Sequence, residues 1–237
     1  MAQDIQELSI VLGIRNQNPT LLNLDFLKGS GVVPSDWELQ RPPVLSAGSS
    51  QIVFKNGINI VANPQSVTCS QSLGTNAQEE VQVARVVRNY VSTLPNLDYL
   101  AIGINPRSFV TFENQPDGAR KFMAETLLAP GSWQEIGSAP IQTRVDVIYT
   151  LQGRQLRLTI AEAALQIPDK QPIPAVLFAG NFHYDLAGEM GEQRVRCLHQ
   201  RLENWQTDLE TYQDIVVNKF LAKKAGMENI LPIRDAS

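Results

Sequence analysis

Two stretches of this chain place a glycine turn between short runs of β-forming residues, and that commits the chain to antiparallel sheet. In the first, Ile52-Val53-Phe54 and Ile58-Asn59-Ile60-Val61 flank Asn56-Gly57. That pair tolerates the positive φ angles of a type I′ turn, so the sequence predicts a hairpin over residues 51–62. In the second, Val145, Val147, Tyr149 and Leu151 alternate with more polar neighbours, Gly153 supplies the turn, and Leu156, Leu158 and Ile160 alternate with Arg157 and Thr159. Successive side chains of a strand point to opposite faces, so this hairpin has one buried face and one wetter face.

Further strands follow from short apolar runs bounded by turn residues. Residues 8–14 read as a buried strand stopped by Asn16, Asn18 and Pro19, and residues 67–71 as another after Asn63-Pro64. Residues 97–104 read as a strand covered on both faces, with a break at Pro106 and a continuation over 109–112. Val176, Phe178, Gly180, Phe182 and Tyr184 form the inner row of a last strand. Thr75 with Gln78 has the form of a capping box opening a helix, along which Val83, Val87, Tyr90 or Val91, and Leu94 recur. Asp117 caps a second helix through Leu128, with Phe122 and Leu127 turned inward. A long helix closes the chain over about 190–225, with Lys223 and Lys224 in its last turn and Gly226 as its stop. Between residues 20 and 50 there is no clear period, but Leu21, Leu22, Leu24, Phe26, Leu27, Val32, Val33 and Trp37 lead us to expect a loop that packs onto the body, with a lid or partner-docking loop as the alternative.

The expected fold is therefore α+β: a mainly antiparallel sheet in two similar strand-then-helix halves, about 1–113 and 114–237 of one domain, with helices on one face and a long C-terminal helix. The hairpins fix strand neighbours within a half and leave the pairing between halves open. The layout resembles the helix-gripping sheet of TATA-binding proteins, without identifiable groove-binding aromatic wedges or basic residues.

Charge and cysteine content narrow the function classes. A net charge of −4 and a pI near 5.3 run against general phosphate neutralisation, so nucleic-acid binding is disfavoured; Glu192, Glu203 and Asp208 interleave with Arg194, Arg196 and Arg201. Two cysteines, Cys69 and Cys197, are too few for a secreted disulfide scaffold. The N-terminus has no basic n-region, and no apolar run reaches the ~20 residues of a membrane span. A cytoplasmic protein without membrane insertion is expected.

No template for metal, cofactor or hydrolytic chemistry is met, which leans away from an enzyme. Cys197 and His199 are two apart on a helix and point apart. There is no Gly-x-Ser-x-Gly, and Lys28-Gly29-Ser30-Gly31 lacks the P-loop ending. Acidic pairs such as Asp208 with Glu210 read as exposed helix charge. Asn181, His183 and Asp185 share one strand face, and with Tyr149 they form a candidate small-molecule pocket between sheet and helices. The strongest signal is in the last helix: Val195, Leu198, Leu202, Trp205, Leu209, Tyr212 and Val216 form a heptad seam. The seam packs on the chain's own sheet or serves association. A rod of roughly 50 Å would overhang the sheet. Trp205, Leu209, Tyr212, Val216, Phe220 and Leu221 are the candidate interaction surface. The leading expectation is a non-enzymatic binding or assembly module, a possible homo-oligomer or partner-binding protein; a small-molecule-binding protein or unrecognised enzyme is the alternative.

Residues 33–39 (VPSDWEL) and 54–62 (FKNGINIVA) resemble segments of uncharacterised cyanobacterial proteins. That resemblance rests on no catalytic motif and implies no function.

Overall fold

The computed structural model describes residues 6–73, 81–112, 115–166, 171–186 and 188–222. Among the described residues, nine strands form a single sheet: β1 (Glu7–Ile14), β2 (Val44–Leu45), β3 (Ser50–Val53), β4 (Ile58–Asn63), β5 (Ser66–Ser72), β6 (Tyr99–Thr111), β7 (Arg144–Leu151), β8 (Arg154–Leu165) and β9 (Ile173–Asp185). All neighbours are antiparallel, in the order β2-β3-β4-β5-β1-β6-β9-β8-β7. The first strand of the chain thus lies at the centre, beside β6.

Period-two alternation decides everything above the sheet. Ile52, Ile60, Cys69, Ile10, Ile104, Phe182, Leu156 and Tyr149 stand opposite one another on eight adjacent strands. All but Tyr149, at the margin, are buried. Each such aliphatic or aromatic side chain contributes about 1.5–3 kcal/mol when covered, so this face must carry the helices. Helix α1 (Leu24–Gly29) belongs to the 20–50 loop; α2 (Val83–Thr93) packs on β1 and β5. Helix α3 (Gly118–Lys121) packs on β8 and β9 and runs on as a π-helical turn, Phe122–Leu127. The long C-terminal helix consists of α4 (Gly191–Glu203), α5 (Trp205–Gln213) and a π-helical stretch, Asp214–Phe220, with α4 and α5 on β6.

Several local expectations are refined by the structure. Gly57 takes φ +82° but Asn56 stays at negative φ, and Gly57 N–H bonds Phe54 O at 3.2 Å. The turn is therefore a three-residue loop with glycine in the left-handed position, not a type I′ pair. Residues 67–71 fall within β5 as expected. The Thr75–Gln78 box lies outside the described residues; α2 begins instead where the Gln71 side chain of β5 accepts from the N–H groups of Gln82 (2.7 Å) and Val83 (3.1 Å). The end of the last helix at 223–226 also lies outside them. The 20–50 segment packs down: Leu22, Leu27, Val32 and Val33 are buried, Trp37 stacks edge-on to Phe54, and Asn89 Nδ2 donates to the carbonyls of Gly31 and Val32.

Two expectations for β6 are corrected. It is one strand through Pro106, because pairing with β9 lapses at Asn105 and Pro106 and resumes in unchanged register, Ile104↔Phe182 before and Arg107↔Ala179 after. It is also covered on one face only, since Ala101, Asn105 and Phe109 are half-buried and Arg107 is exposed on the other.

The lapse at Pro106 locates the C-terminal helix. Continuing the register sets Gly180 opposite Pro106, and the missing side chain there leaves a notch. A Cβ on Gly180 would come 2.9 Å from Tyr212 Cδ2 and 3.1 Å from Pro106 Cγ, so the Tyr212 ring fills it. The Tyr212 hydroxyl donates to Phe178 O at 2.8 Å and meets Ser108 Oγ at 2.6 Å, on the register pair Ser108↔Phe178. Gly180→Ala is expected to lower stability by about 1–3 kcal/mol through overpacking, read as a lower urea midpoint. The loss should shrink in a Tyr212→Leu background; an unchanged midpoint would show that the ring is not seated there.

Candidate functional site

The C-terminal helix spends its apolar seam inside the molecule. Leu198, Leu202, Tyr212 and Val216 are buried, while Val195, Trp205, Leu209, Phe220 and Leu221 are half-buried against the same core. Phe220 reaches Phe178, with ring centroids 5.9 Å apart. A break at Asn204 separates α4 from α5. All six residues of the candidate interaction surface are thus buried or half-buried against the protein's own core.

Asp208 is the residue that sequence reasoning placed wrongly. It is fully buried rather than an exposed helix charge. It lies three residues after Trp205 and four before Tyr212, which is the inward side of the helix, and that spacing was the available signal. Its Oδ1 sits 2.7 Å from Arg154 Nε of β8, a charge contact off the hydrogen-bond direction, and its Oδ2 accepts from the Tyr184 hydroxyl of β9 at 2.8 Å. Arg201 lies over the Tyr184 ring and Arg154 over the Phe182 ring, both 5.7 Å from guanidinium carbon to centroid. This cluster fastens the helix break to the β8 and β9 strands, under cover of the core. It is a polar anchor between helix and sheet.

The four candidate pocket residues divide between the two faces of the sheet. Tyr149 stands on the helix side, opposite Leu156. Asn181, His183 and Asp185 share the other side: Asn181 is half-buried, His183 is exposed opposite Gly103, and Asp185 is exposed opposite Ala101. On the helix side, the space beneath α2 is filled. The void among Leu12, Leu27, Val67 and Val87 measures about 10 Å³ and is lined by apolar side chains, too small for more than one water.

The open face holds an arrangement that no single strand reveals. Asn59, Ser70, Ser9, Asn105, Asn181 and Arg157 fall opposite one another on six adjacent strands, β4-β5-β1-β6-β9-β8. Five spacings of ~4.8 Å make a polar row about 24 Å long. Asn181 Nδ2 donates to Asn105 Oδ1 at 2.5 Å, and Gln51 Nε2 donates to Asn59 Oδ1 at 3.0 Å. Two ion pairs lie beside the row, Glu7 with Arg107 at 3.5 Å and Asp146 with Arg144 at 3.0 Å, and Arg157 adds an exposed charge at its end. Small neighbours such as Gly13, Ala101, Gly103 and Ala179 leave the sheet surface low. Such a face exposes amide and hydroxyl groups over several adjacent strands.

Fold and face together define an α+β protein with a nine-stranded antiparallel sheet, helices on one side and a polar open side. No protein-family model matches the chain, and no curated protein matches it. Among the described residues no helix is long and apolar enough to cross a membrane.

Burial is the largest influence on Asp208 and pushes its carboxyl up to about 6, against the opposing pull of Tyr184 and Arg154. A raised folded value means the native state holds the proton more tightly than the unfolded chain. This contribution is therefore fully present below pH ~4 and is lost as pH rises through about 6. Relative to Asp208→Asn, the wild type should lose up to about 3 kcal/mol of stability between pH 4 and 7, measured by urea denaturation of both proteins. A difference flat across that range would show an ordinary carboxylate; one of opposite sign would show that Arg154 dominates.

Proposed function

We propose that the protein is a non-enzymatic binding module whose working surface is the open face of its sheet, taking a protein partner that presents polar, uncharged groups. The observation that carries this reading is the six-strand row of Asn59, Ser70, Ser9, Asn105, Asn181 and Arg157. A solvated sheet face with no task is commonly laced with long charged side chains; here hydroxyl, amide and small residues dominate the central strands. The reading is further supported by the C-terminal helix, whose seam is consumed in the core, and by the filled space beneath α2.

The row crosses from β6 to β9, where the two halves of the chain meet in the sheet. We take the chain as one domain of two alike units, about 1–113 and 114–237. The first unit contributes β2-β3-β4-β5-β1-β6 to the sheet and the second contributes β9-β8-β7, with the C-terminal helix after it. In this reading the partner is held across the junction of the two units, where neither alone would present the whole row.

The test compares affinity capture by three immobilised proteins: wild type, Ser9→Arg/Asn105→Arg on the open face, and Gln206→Arg on the exposed side of α5. Thermal melts establish that all three are folded. Partners held by wild type and Gln206→Arg but reduced at least tenfold on the open-face variant are the expected result. Equal capture by all three, or loss on Gln206→Arg alone, would overturn the reading.

A further inference from the structure

We infer that the outer edge of β7 is a self-pairing interface, through which two copies of this chain join their sheets antiparallel about a two-fold axis at Ile148. β7 is the last strand of the sheet and pairs with β8 along all eight of its residues. Among the described residues, no backbone group of β7 is bonded on the other side. The opposite edge is finished differently, by the two-residue β2 and a bridge from Leu39 to Phe54. A free strand edge is a template for another strand unless proline, a bulge or projecting charge blocks it. β7 carries no proline or bulge, and its charges, Arg144 and Asp146, are paired to each other on the open face.

The hydrogen-bond phase of this edge follows from its hairpin. Leu151↔Arg154 closes a two-residue loop, Gln152-Gly153. The closing pair of such a loop exchanges its hydrogen bonds, and bonded and non-bonded pairs then alternate along the strands. Odd residues of β7 therefore bond to β8, and Asp146, Ile148 and Thr150 direct their N–H and C=O groups outward. A two-fold pairing must set residues of like parity opposite one another, which leaves a handful of registers.

Side-chain chemistry selects among them. Centring on residue 146 opposes two aspartates, and centring on 147 sets Asp146 against Ile148 of the other copy. Centring on 149 sets Ile148 against Thr150. Centring on 148 alone pairs like with like on both faces: Ile148 with Ile148 and Asp146 with Thr150 on the open face, Val147 with Tyr149 and Val145 with Leu151 on the helix face. Ile148 is 52% exposed in the single chain, and the four helix-face residues are only half-buried at the margin of the core. In this register they continue the apolar face from one sheet into the next, which cross-strand pairing rewards.

Sedimentation or light-scattering mass across a concentration series tests the inference. Wild type should approach twice the 26.3 kDa chain mass. Ile148→Pro removes an outward N–H that β8 does not use, and Ile148→Lys sets two like charges face to face; both should halve the mass with far-ultraviolet circular dichroism unchanged. Ile148→Lys alters only an exposed side chain and keeps the test decisive if the proline variant fails to fold. A wild type that stays monomeric at the highest concentration, or a dimer that persists in the lysine variant, would overturn the inference. Because Ile148 lies outside the six-residue row, either result leaves the open-face reading to its own test.

Discussion

The antiparallel ladder, with its side chains alternating strictly between two faces, is the constraint on which the rest of this structure depends. Because the register is continuous from β4 to β8, a residue on one strand has defined counterparts on five neighbours. Ile10 is thereby in line with Ile60 and Phe182, and Ser9 with Asn59 and Asn181. A slip of one residue in any strand would turn its apolar set to the solvent. The helices have one face to cover, and the polar residues are gathered on the other without any element being devoted to them.

Within that frame, the C-terminal helix is held by shape and by polar contacts as much as by its apolar seam. Apolar burial alone is indifferent to small translations of a helix along a sheet. Tyr212 removes that freedom, since its ring fits the notch above Gly180 and its hydroxyl bonds the Ser108–Phe178 pair. Asp208 adds a second fixed point one turn earlier, on Arg154 and Tyr184. A buried ion pair adds little net stability, because desolvation offsets the attraction, but an unpaired buried charge is costly. Displacing the helix would create one, which makes the cluster a device for position.

Much of the fold was legible in the chain. The runs around Leu8, Ile58, Val145, Leu156 and Phe178 became strands because alternation and turn glycines are local signals. The seam from Val195 to Val216 faces the sheet at its own period. Pro106 misled because a proline in a central strand usually marks an end; here Gly180 and Tyr212 accommodate it from distant parts of the chain. Asp208 was read as solvated because residue type outweighed spacing, although its offset from Trp205 and Tyr212 gives its true side. Tyr149 and Asn181 looked like companions because their opposite facing depends on the phase of three strands.

The class of fold, the strands, most of the helices and the apolar side chains of each were written in local pattern, because those properties depend on neighbours a few residues away. The strand order, the polar row of the open face and the exposed edge at β7 emerged on assembly of the sheet. They rest on central pairings that join distant residues, from Gly13↔Ser66 to Glu7↔Arg107, and register is a property of assembled strands that no local pattern encodes.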